Sequence, residues 1–221
     1  MTRHGKRPGR RKWRVRQQRR KILIVCEGLV TEPEYFEWLK DYARNPLLKI
    51  EIVKAGGTAS LVVKTAIERM AEKGTKSSKK RESGFDEVWA VFDRDYHPHF
   101  DDAVAKAEQN DIQCATSTPC FELWLLLHFE DQHAHASCRQ ITTRLRTHLH
   151  GYDKHIDKVA PTIWEEALGQ ACNRAKELRV MKEKGQIANN PNTQVDLLVE
   201  RVLPDPGVAA SNTDIINSRF T

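Results

Sequence analysis

The stretch that decides the fold is Ile22–Phe36, which reads ILIVCEGLVTEPEYF. Its first five residues form a continuous apolar run, which is typical of a strand buried on both faces of a parallel sheet. A helix should follow at Thr31, because threonine can cap a helix and Glu34, three residues on, can complete a capping box. Pro33 fits the first turn, where its missing N–H does no harm. The stretch therefore predicts a strand, a tight turn and a helix.

The same alternation continues downstream. Apolar runs at Leu48–Val53, Glu87–Phe92 and Ile112–Ala115 predict three further strands, and helical spacing of apolar residues fills the intervals at 62–71 and 100–107. Strands that alternate with helices favour a parallel sheet with helical crossovers. We therefore expect an α/β fold, Rossmann-like, with a mostly parallel sheet and helices on both faces.

The C-terminal half has a different pattern. Pro119–Phe129 predicts a buried helix, and from about Ser137 onward the apolar residues recur only at helical spacing. The predicted organisation is a basic N-terminal arm over 1–20, an α/β domain over 21–136, a helical extension over 137–203 and an irregular tail over 204–221.

The charge of the chain is divided unevenly. The first 21 residues hold eleven Lys and Arg and no acid, whereas residues 22–221 carry 25 basic and 30 acidic groups. Such an arm is attracted to phosphate backbones, although a basic tail can also serve only for solubility. The arm residues we expect to contact nucleic acid are Arg10, Arg11, Lys12, Arg14, Arg16, Arg19 and Arg20.

Composition limits the compartment. No apolar run reaches the roughly 18–20 residues of a membrane helix, and the basic N-terminus has no apolar segment of signal-peptide form behind it. The five cysteines include no C-x-x-C pair, which favours reduced thiols, with Cys120 packed as a small apolar residue. These features predict a cytoplasmic protein without a membrane partner, and they are compatible with a homo-oligomer.

Acidic residues follow two of the predicted strands directly. Glu27 comes after the first strand, and Asp93 and Asp95 come at the end of the third. Ligands of open α/β sheets bind beyond the carboxyl ends of the strands, and the strand period of two directs Asp93 and Asp95 to one side. Since crowded carboxylates repel one another unless a cation is present, these residues predict a site for Mg²⁺ or Mn²⁺.

Two further acids have a less certain role. Glu32 lies near the start of the first helix, and Glu122 is the one charge in the run Pro119–Leu127. Either can be an additional metal ligand, or simply an acid that is favoured at a helix N-terminus. Glu27 can act either as a metal ligand or as a general acid or base, and the sequence does not separate these roles.

Three blocks resemble a known family. ILIVCEGLVTEPEYF at Ile22–Phe36, VWAVFDRD at Val88–Asp95 and STPCFELWLLLHF at Ser117–Phe129 resemble RloB-like proteins, which are Toprim-related. Weaker matches are GYDK at Gly151–Lys154 and the NPNT pattern that starts at Asn190. The resemblance implies a Toprim-like domain in which Glu27, Asp93 and Asp95 form the catalytic set.

The resemblance also implies a function. Relatives of this kind are metal-dependent nucleases of bacterial anti-phage or restriction-linked defence, often with a separate ATPase of the ABC or AAA type. We therefore expect hydrolysis of DNA or RNA, with metal ions that stabilise the attacking and leaving oxygens of the phosphodiester. The helical region 137–203 is the expected docking surface for the ATPase.

Two other functions compete with this hypothesis. A Toprim-like subunit without catalysis would only bridge nucleic acid and the ATPase. A D-x-D phosphatase would use Asp93 as its nucleophile, but His97 stands where a small hydroxyl residue is expected. Histidine clusters at 133–138 and 148–155 lack the spacing of a zinc site. Gly56-Gly57-Thr58 lacks the lysine of a P-loop.

Overall fold

A computed structural model of the protein describes residues 19–75, 84–94 and 99–204, with side chains to residue 72 in the first range. The elements in chain order are β1 Arg20–Cys26, α1 Thr31–Ala43, β2 Leu48–Lys54, α2 Ala59–Thr75, β3 Glu87–Asp93, α3 Phe100–Glu108, β4 Gln113–Thr118, α4 Glu122–Leu126, α5 Cys138–His148, α6 Pro161–Glu183, β5 Asn192–Thr193 and α7 Val195–Val202. Among the described residues no helix is both long and apolar enough to cross a bilayer.

The strands form one sheet in the order β2-β1-β3-β4-β5. Pairing is parallel from β2 through β4, and the short β5 pairs antiparallel with β4. From β1 the chain passes to β2 on one side and then to β3 on the other, so a topological switch point lies between β1 and β3. Ligands of open α/β sheets bind at such points, and Glu27 and Asp93 end the two strands that flank it.

Each face of the sheet packs against its own set of helices. On one face Ile22, Ile24 and Val91 contact α1, α4 and the helices that follow. On the other face Leu23 and Val25 pack with α2 and α3. The alternation of buried side chains along β1 therefore supplies both cores, and each large apolar side chain buried there stabilises the fold by about 1.5–3 kcal/mol. The predicted α/β class, with helices on both faces, is confirmed.

The C-terminal region packs onto the first of these faces. Residues of α5, α6 and α7, such as Ile141, Trp164 and Val199, belong to the same hydrophobic cluster as β1 and α1. The prediction of helices alone after Ser137 was wrong in one place, because Asn192–Thr193 extends the sheet as β5. A strand of two residues is too short to produce a period in the sequence.

Three local predictions also need correction. No side chain caps α1, so the Thr31 and Glu34 capping box is absent. Only Glu122–Leu126 of the predicted helix 119–129 is α-helical, as α4. Cys120 and Cys138 form a disulfide with Cα atoms 5.6 Å apart, whereas reduced thiols were expected. Two of these differences come from contacts between residues distant in sequence, because Glu34 bonds to the backbone N–H of Ile156 and Cys120 bonds to Cys138.

Candidate metal centre at the carboxyl edge of the sheet

Glu27 and Asp93 meet at the switch point. The backbone N–H of Glu27 donates to the carbonyl of Val91, at 2.9 Å, and thus continues the β1–β3 ladder by one residue. The Glu27 carboxylate accepts a hydrogen bond from the backbone N–H of Asp93, with Oε2 at 3.0 Å. Because these bonds fix both residues at adjacent strand ends, the structure places the two acids together.

Glu32 reaches the same place from the first turn of α1. Its side chain is buried, and its Oε1 accepts a hydrogen bond from the backbone N–H of Gly28 at 3.1 Å. A Cβ atom at Gly28 would lie 1.8 Å from the Glu32 Oε2. Glycine is therefore required after Glu27, because any side chain there would displace the Glu32 carboxylate.

Glu122 approaches from the start of α4. It is buried, and its Oε1 accepts a hydrogen bond from the Tyr152 hydroxyl at 3.3 Å. Its Oε2 lies 3.7 Å from the Cys138 sulfur, which is a contact rather than a hydrogen bond because a disulfide sulfur has no proton to donate. The backbone N–H of the preceding residue, Phe121, donates to the Asp93 carboxylate. The start of α4 thus places one acid and orients another.

These acids line one cavity with a lysine at its wall. The empty volume, open solvent at its mouth included, is about 810 Å³. The lining comprises Glu27, Gly28, Leu29, Val30, Thr31, Glu32, Asp93, Phe121, Glu122 and Lys154. Lys154 has φ 78°, which is unusual for a residue other than glycine. The Thr31 hydroxyl donates to its backbone carbonyl at 2.7 Å and holds this conformation. We refer to this cavity as the carboxylate pocket.

The surroundings of the pocket disfavour the ionised forms of two of its acids. The pKa of Asp93 is raised well above its usual value, by burial and then by the charges of Glu32, Glu122 and Glu27. The pKa of Glu32 is raised as well, by burial and, among the neighbouring charges, by Glu122 and Glu27. Raised values of this kind arise where ionised carboxylates lack enough compensating positive charge. The pocket therefore favours occupation by a cation.

The structure brings together four of the five predicted acids, which are Glu27, Glu32, Asp93 and Glu122. Asp95 lies outside the described residues, as do the arm residues Arg10, Arg11, Lys12, Arg14 and Arg16. Of the described arm residues, Arg20 begins β1 and forms an ion pair with Glu87. Arg19 precedes β1 and is exposed.

Two residues of the segment Gly151–Lys154 had no role assigned from the sequence. Tyr152 bonds to Glu122, and Lys154 lines the pocket, although both are more than 110 residues from Glu32. The available signal was the GYDK block at Gly151–Lys154, which the family resemblance marked only weakly. No local pattern connects this loop to the sheet edge.

The fold and the site together define the class of the protein. It is an α/β protein with a Rossmann-like sheet and four carboxylates at the switch point of that sheet. The family follows from comparison with known sequences, since a model of the RloB-like protein family matches residues 22–202. The chain belongs to the RloB-like protein family. No curated protein and no solved structure matches it.

Proposed function

We propose that this chain is a metal-dependent nuclease that hydrolyses phosphodiester bonds of DNA or RNA. The observation that carries the proposal is the convergence of Glu27, Glu32, Asp93 and Glu122 in one pocket at the switch point of the sheet. Membership of the RloB-like family and its Toprim-related character support the same chemistry.

The donor set fits a hard cation. All four acids offer oxygen ligands, which suit Mg²⁺ or Mn²⁺ better than softer metals. Burial, and then the neighbouring acids, raise the pKa values of Asp93 and Glu32, and a bound cation would favour the ionised form of both. In the proposed site Glu27, Asp93, Glu32 and Glu122 hold the metal, and Asp95 is a further ligand predicted from the sequence. When bound, the metal polarises the phosphate and stabilises the attacking and leaving oxygens.

Other groups of the chain position the metal ligands, bind the phosphate and accept the proton. The N–H groups of Gly28 and Asp93 hold the carboxylates of Glu32 and Glu27 in place before any ligand arrives. Tyr152 orients Glu122 in the same way. Lys154 is the basic residue that lines the pocket, and we assign to it the hydrogen bond to a phosphate oxygen of the substrate. A carboxylate of the pocket that is not engaged by metal can accept the proton of the attacking water.

The direct test is cleavage of labelled DNA and RNA by the full chain with Mg²⁺, with Mn²⁺ and with a chelator. We expect cleavage only with metal, and a loss of at least about a hundredfold in Asp93→Asn and Glu27→Gln, because even residues behind metal ligands change activity by 10–100-fold. Glu165→Gln, at an exposed position of α6, is the matched control and should cleave normally.

The same assay decides between the nuclease and its main alternative, a binding subunit without catalysis. Tight binding without cleavage, in both the unsubstituted chain and Asp93→Asn, would favour the binding subunit. Cleavage that persists in Asp93→Asn would instead refute the assignment of the carboxylate pocket.

The N-terminal arm is the proposed contact with nucleic acid, with Arg10, Arg11, Lys12, Arg14, Arg16, Arg19 and Arg20 on the phosphates. The carboxylate pocket itself is negative and gives little attraction, so most of the affinity should come from elsewhere on the chain. Deleting residues 1–18 should weaken binding and reduce its dependence on salt, since each lost phosphate contact removes about 0.7–0.9 from the slope of log K against log salt. Unchanged affinity at low salt would exclude this role.

The proposed setting is bacterial anti-phage or restriction-linked defence, in the cytoplasm, with a partner ATPase of the ABC or AAA type. This setting rests on the family alone. The helical region 137–203 remains the proposed docking surface. Glu165 and Glu166 are exposed on α6. If this surface binds the ATPase, the double substitution Glu165→Lys and Glu166→Lys should reduce the amount of ATPase that the chain captures.

A further inference from the structure

A second group of potential metal ligands lies beside the carboxylate pocket. Cys120 precedes α4, Cys138 is the first residue of α5, and their sulfurs are joined in the disulfide. With one carboxylate oxygen of Glu122, the two sulfurs form a set whose atoms all lie within 4.8 Å of one another. Neither cysteine lines the carboxylate pocket, whereas Glu122 does. Glu122 therefore belongs to two different donor sets.

The two sets differ in chemistry. The carboxylate pocket offers only oxygen, whereas the corner of Cys120, Cys138 and Glu122 offers two sulfurs and one oxygen once the disulfide is reduced. Thiolates select soft ions such as Zn²⁺, which take four ligands in a tetrahedron with a Zn–S distance of about 2.3 Å. Two sulfurs on such an ion lie about 3.8 Å apart, which the Cα separation of 5.6 Å accommodates.

We infer that the reduced chain binds a soft divalent ion such as Zn²⁺ through Cys120, Cys138 and Glu122. Reduction by a phosphine breaks the sulfur–sulfur bond, and the phosphine takes an oxygen from water to become the phosphine oxide. The two hydrogens of that water end on the two sulfurs. Zn²⁺ then displaces both thiol protons into solvent, binds the two thiolates and the Glu122 carboxylate, and keeps one water as its fourth ligand. The disulfide and the zinc complex are mutually exclusive states.

The positions of the ligands favour this site over the other cysteines. Cys138 is the first residue of α5, whose start is ordered by the reciprocal bonds of Ser137 and Gln140, and its sulfur lies 3.7 Å from Oε2 of Glu122. The remaining cysteines are Cys26, Cys114 and Cys172, which belong to no such group among the described residues.

Occupation of this site bears on the proposed nuclease. Zn²⁺ at the corner engages a carboxylate that also lines the carboxylate pocket, so it withdraws Glu122 from any Mg²⁺ or Mn²⁺ there. This consequence rests on the proposed function, whereas the binding of Zn²⁺ does not. The two can therefore be tested separately.

The experiment uses the full chain, stripped of metal and reduced with a phosphine, with no nucleic acid present. Titration with Co²⁺ reports the ligands directly, because thiolate ligands give a charge-transfer band in the near ultraviolet. Competition between Co²⁺ and Zn²⁺ for that band then measures zinc affinity. We expect one such site per reduced chain and no thiolate band in the oxidised chain.

Variants assign the ligands. Cys138→Ser and Cys120→Ser should each lower the affinity at least tenfold, Glu122→Gln should lower it less, and Cys172→Ser is the matched control with no effect. Asp93→Asn should keep the band, which separates this site from the carboxylate pocket. The inference is overturned if the reduced, unsubstituted chain shows no thiolate band, since that result needs no variant to fold. It is equally overturned if both serine variants bind as tightly as the control.

Discussion

Glu32 and Glu34 stand two residues apart in the first turn of α1, yet their surroundings are opposite. Glu32 faces other acids in the carboxylate pocket, and its pKa is raised. Glu34 accepts hydrogen bonds from the backbone N–H groups of Ile156 and Asp157, and its Oε1 lies 2.9 Å from the His155 ring nitrogen. Burial acts to raise the pKa of Glu34, but these partners outweigh it, and the pKa is lowered.

This difference distinguishes Glu34, which has a structural role, from Glu32, which is available to bind a cation. Glu34 uses its charge to join α1 to the loop at 155–157, so the chain itself satisfies it. The Glu32 carboxylate accepts hydrogen bonds from the backbone N–H groups of Gly28 and of Glu32 itself, and the charges that act on its pKa are those of other acids. An acid that is buried among other acids costs stability in the absence of a cation. Position within a helix turn therefore says little about role, and the partners of each carboxylate decide it.

The largest contrast between the two glutamates should appear in cleavage. Glu32→Gln removes a proposed metal ligand and should reduce metal-dependent cleavage by about 10–100-fold, the range for residues that support a metal site. Glu34→Gln should stay within about twofold, because Glu34 does not line the pocket. Initial rates at saturating Mg²⁺ measure both. Equal losses of cleavage in the two variants would mean that any change in the first turn of α1 disturbs the site, and would contradict the different roles inferred for Glu32 and Glu34.

Stability without metal should change in opposite directions. Glu32→Gln removes repulsion and should stabilise the metal-free protein by about 1 kcal/mol, the size of a charge contact at 4 Å in water. Glu34→Gln weakens hydrogen bonds to a charged acceptor and should destabilise it by about 1–3 kcal/mol. Urea unfolding in the presence of a chelator measures both. Destabilisation by Glu32→Gln would contradict the repulsion inferred for the pocket.

Local sequence patterns were enough to predict the four parallel strands, β1 to β4, and half of the site. The apolar run before Glu27 and the run before Asp93 predict adjacent parallel strands, and parallel strands end at one edge of a sheet. This geometry brings Glu27 and Asp93 close together, and the hydrogen bond from the Asp93 N–H to the Glu27 carboxylate agrees with it. Glu32 and Glu122 were named only as additional candidates, Glu122 because it is the one charge in the run Pro119–Leu127. For both, the sequence left open the alternative of an acid favoured at a helix N-terminus.

What could not be predicted depends on contacts between distant parts of the chain. Glu34 looked like a capping residue, whereas its partner His155 lies 121 residues away. Tyr152, a few residues before His155, bonds to Glu122 of the pocket, and Cys138 at the start of α5 bonds to Cys120. Loops have no period, so nothing in their sequence indicates which surface they contact. Only the packing of α5, α6 and α7 on the sheet brings them to it.

The smallest expected effect is a pH dependence of metal binding that Glu32 should influence and Glu34 should not. Because burial and the neighbouring acids raise the pKa values of Asp93 and Glu32, the folded protein holds protons on them at a pH where the unfolded chain has lost them. Two consequences follow from this upward shift of the pKa values. The metal-free protein loses stability as the pH rises from the ordinary carboxyl pKa through the raised values, and metal must displace protons over the same range.

Mg²⁺ affinity should therefore rise with pH through the raised pKa values, by up to about tenfold per pH unit for each proton displaced. Glu32→Gln should flatten this rise, because one of the two competing protons is gone. Glu34→Gln should leave the slope unchanged, since the pKa of Glu34 is lowered and this acid is already ionised over the range. Calorimetric titration with Mg²⁺ in buffers of different ionisation enthalpy counts the protons released. A slope that Glu34→Gln flattens as much as Glu32→Gln would show that the two acids are not separated in the way their hydrogen bonds indicate.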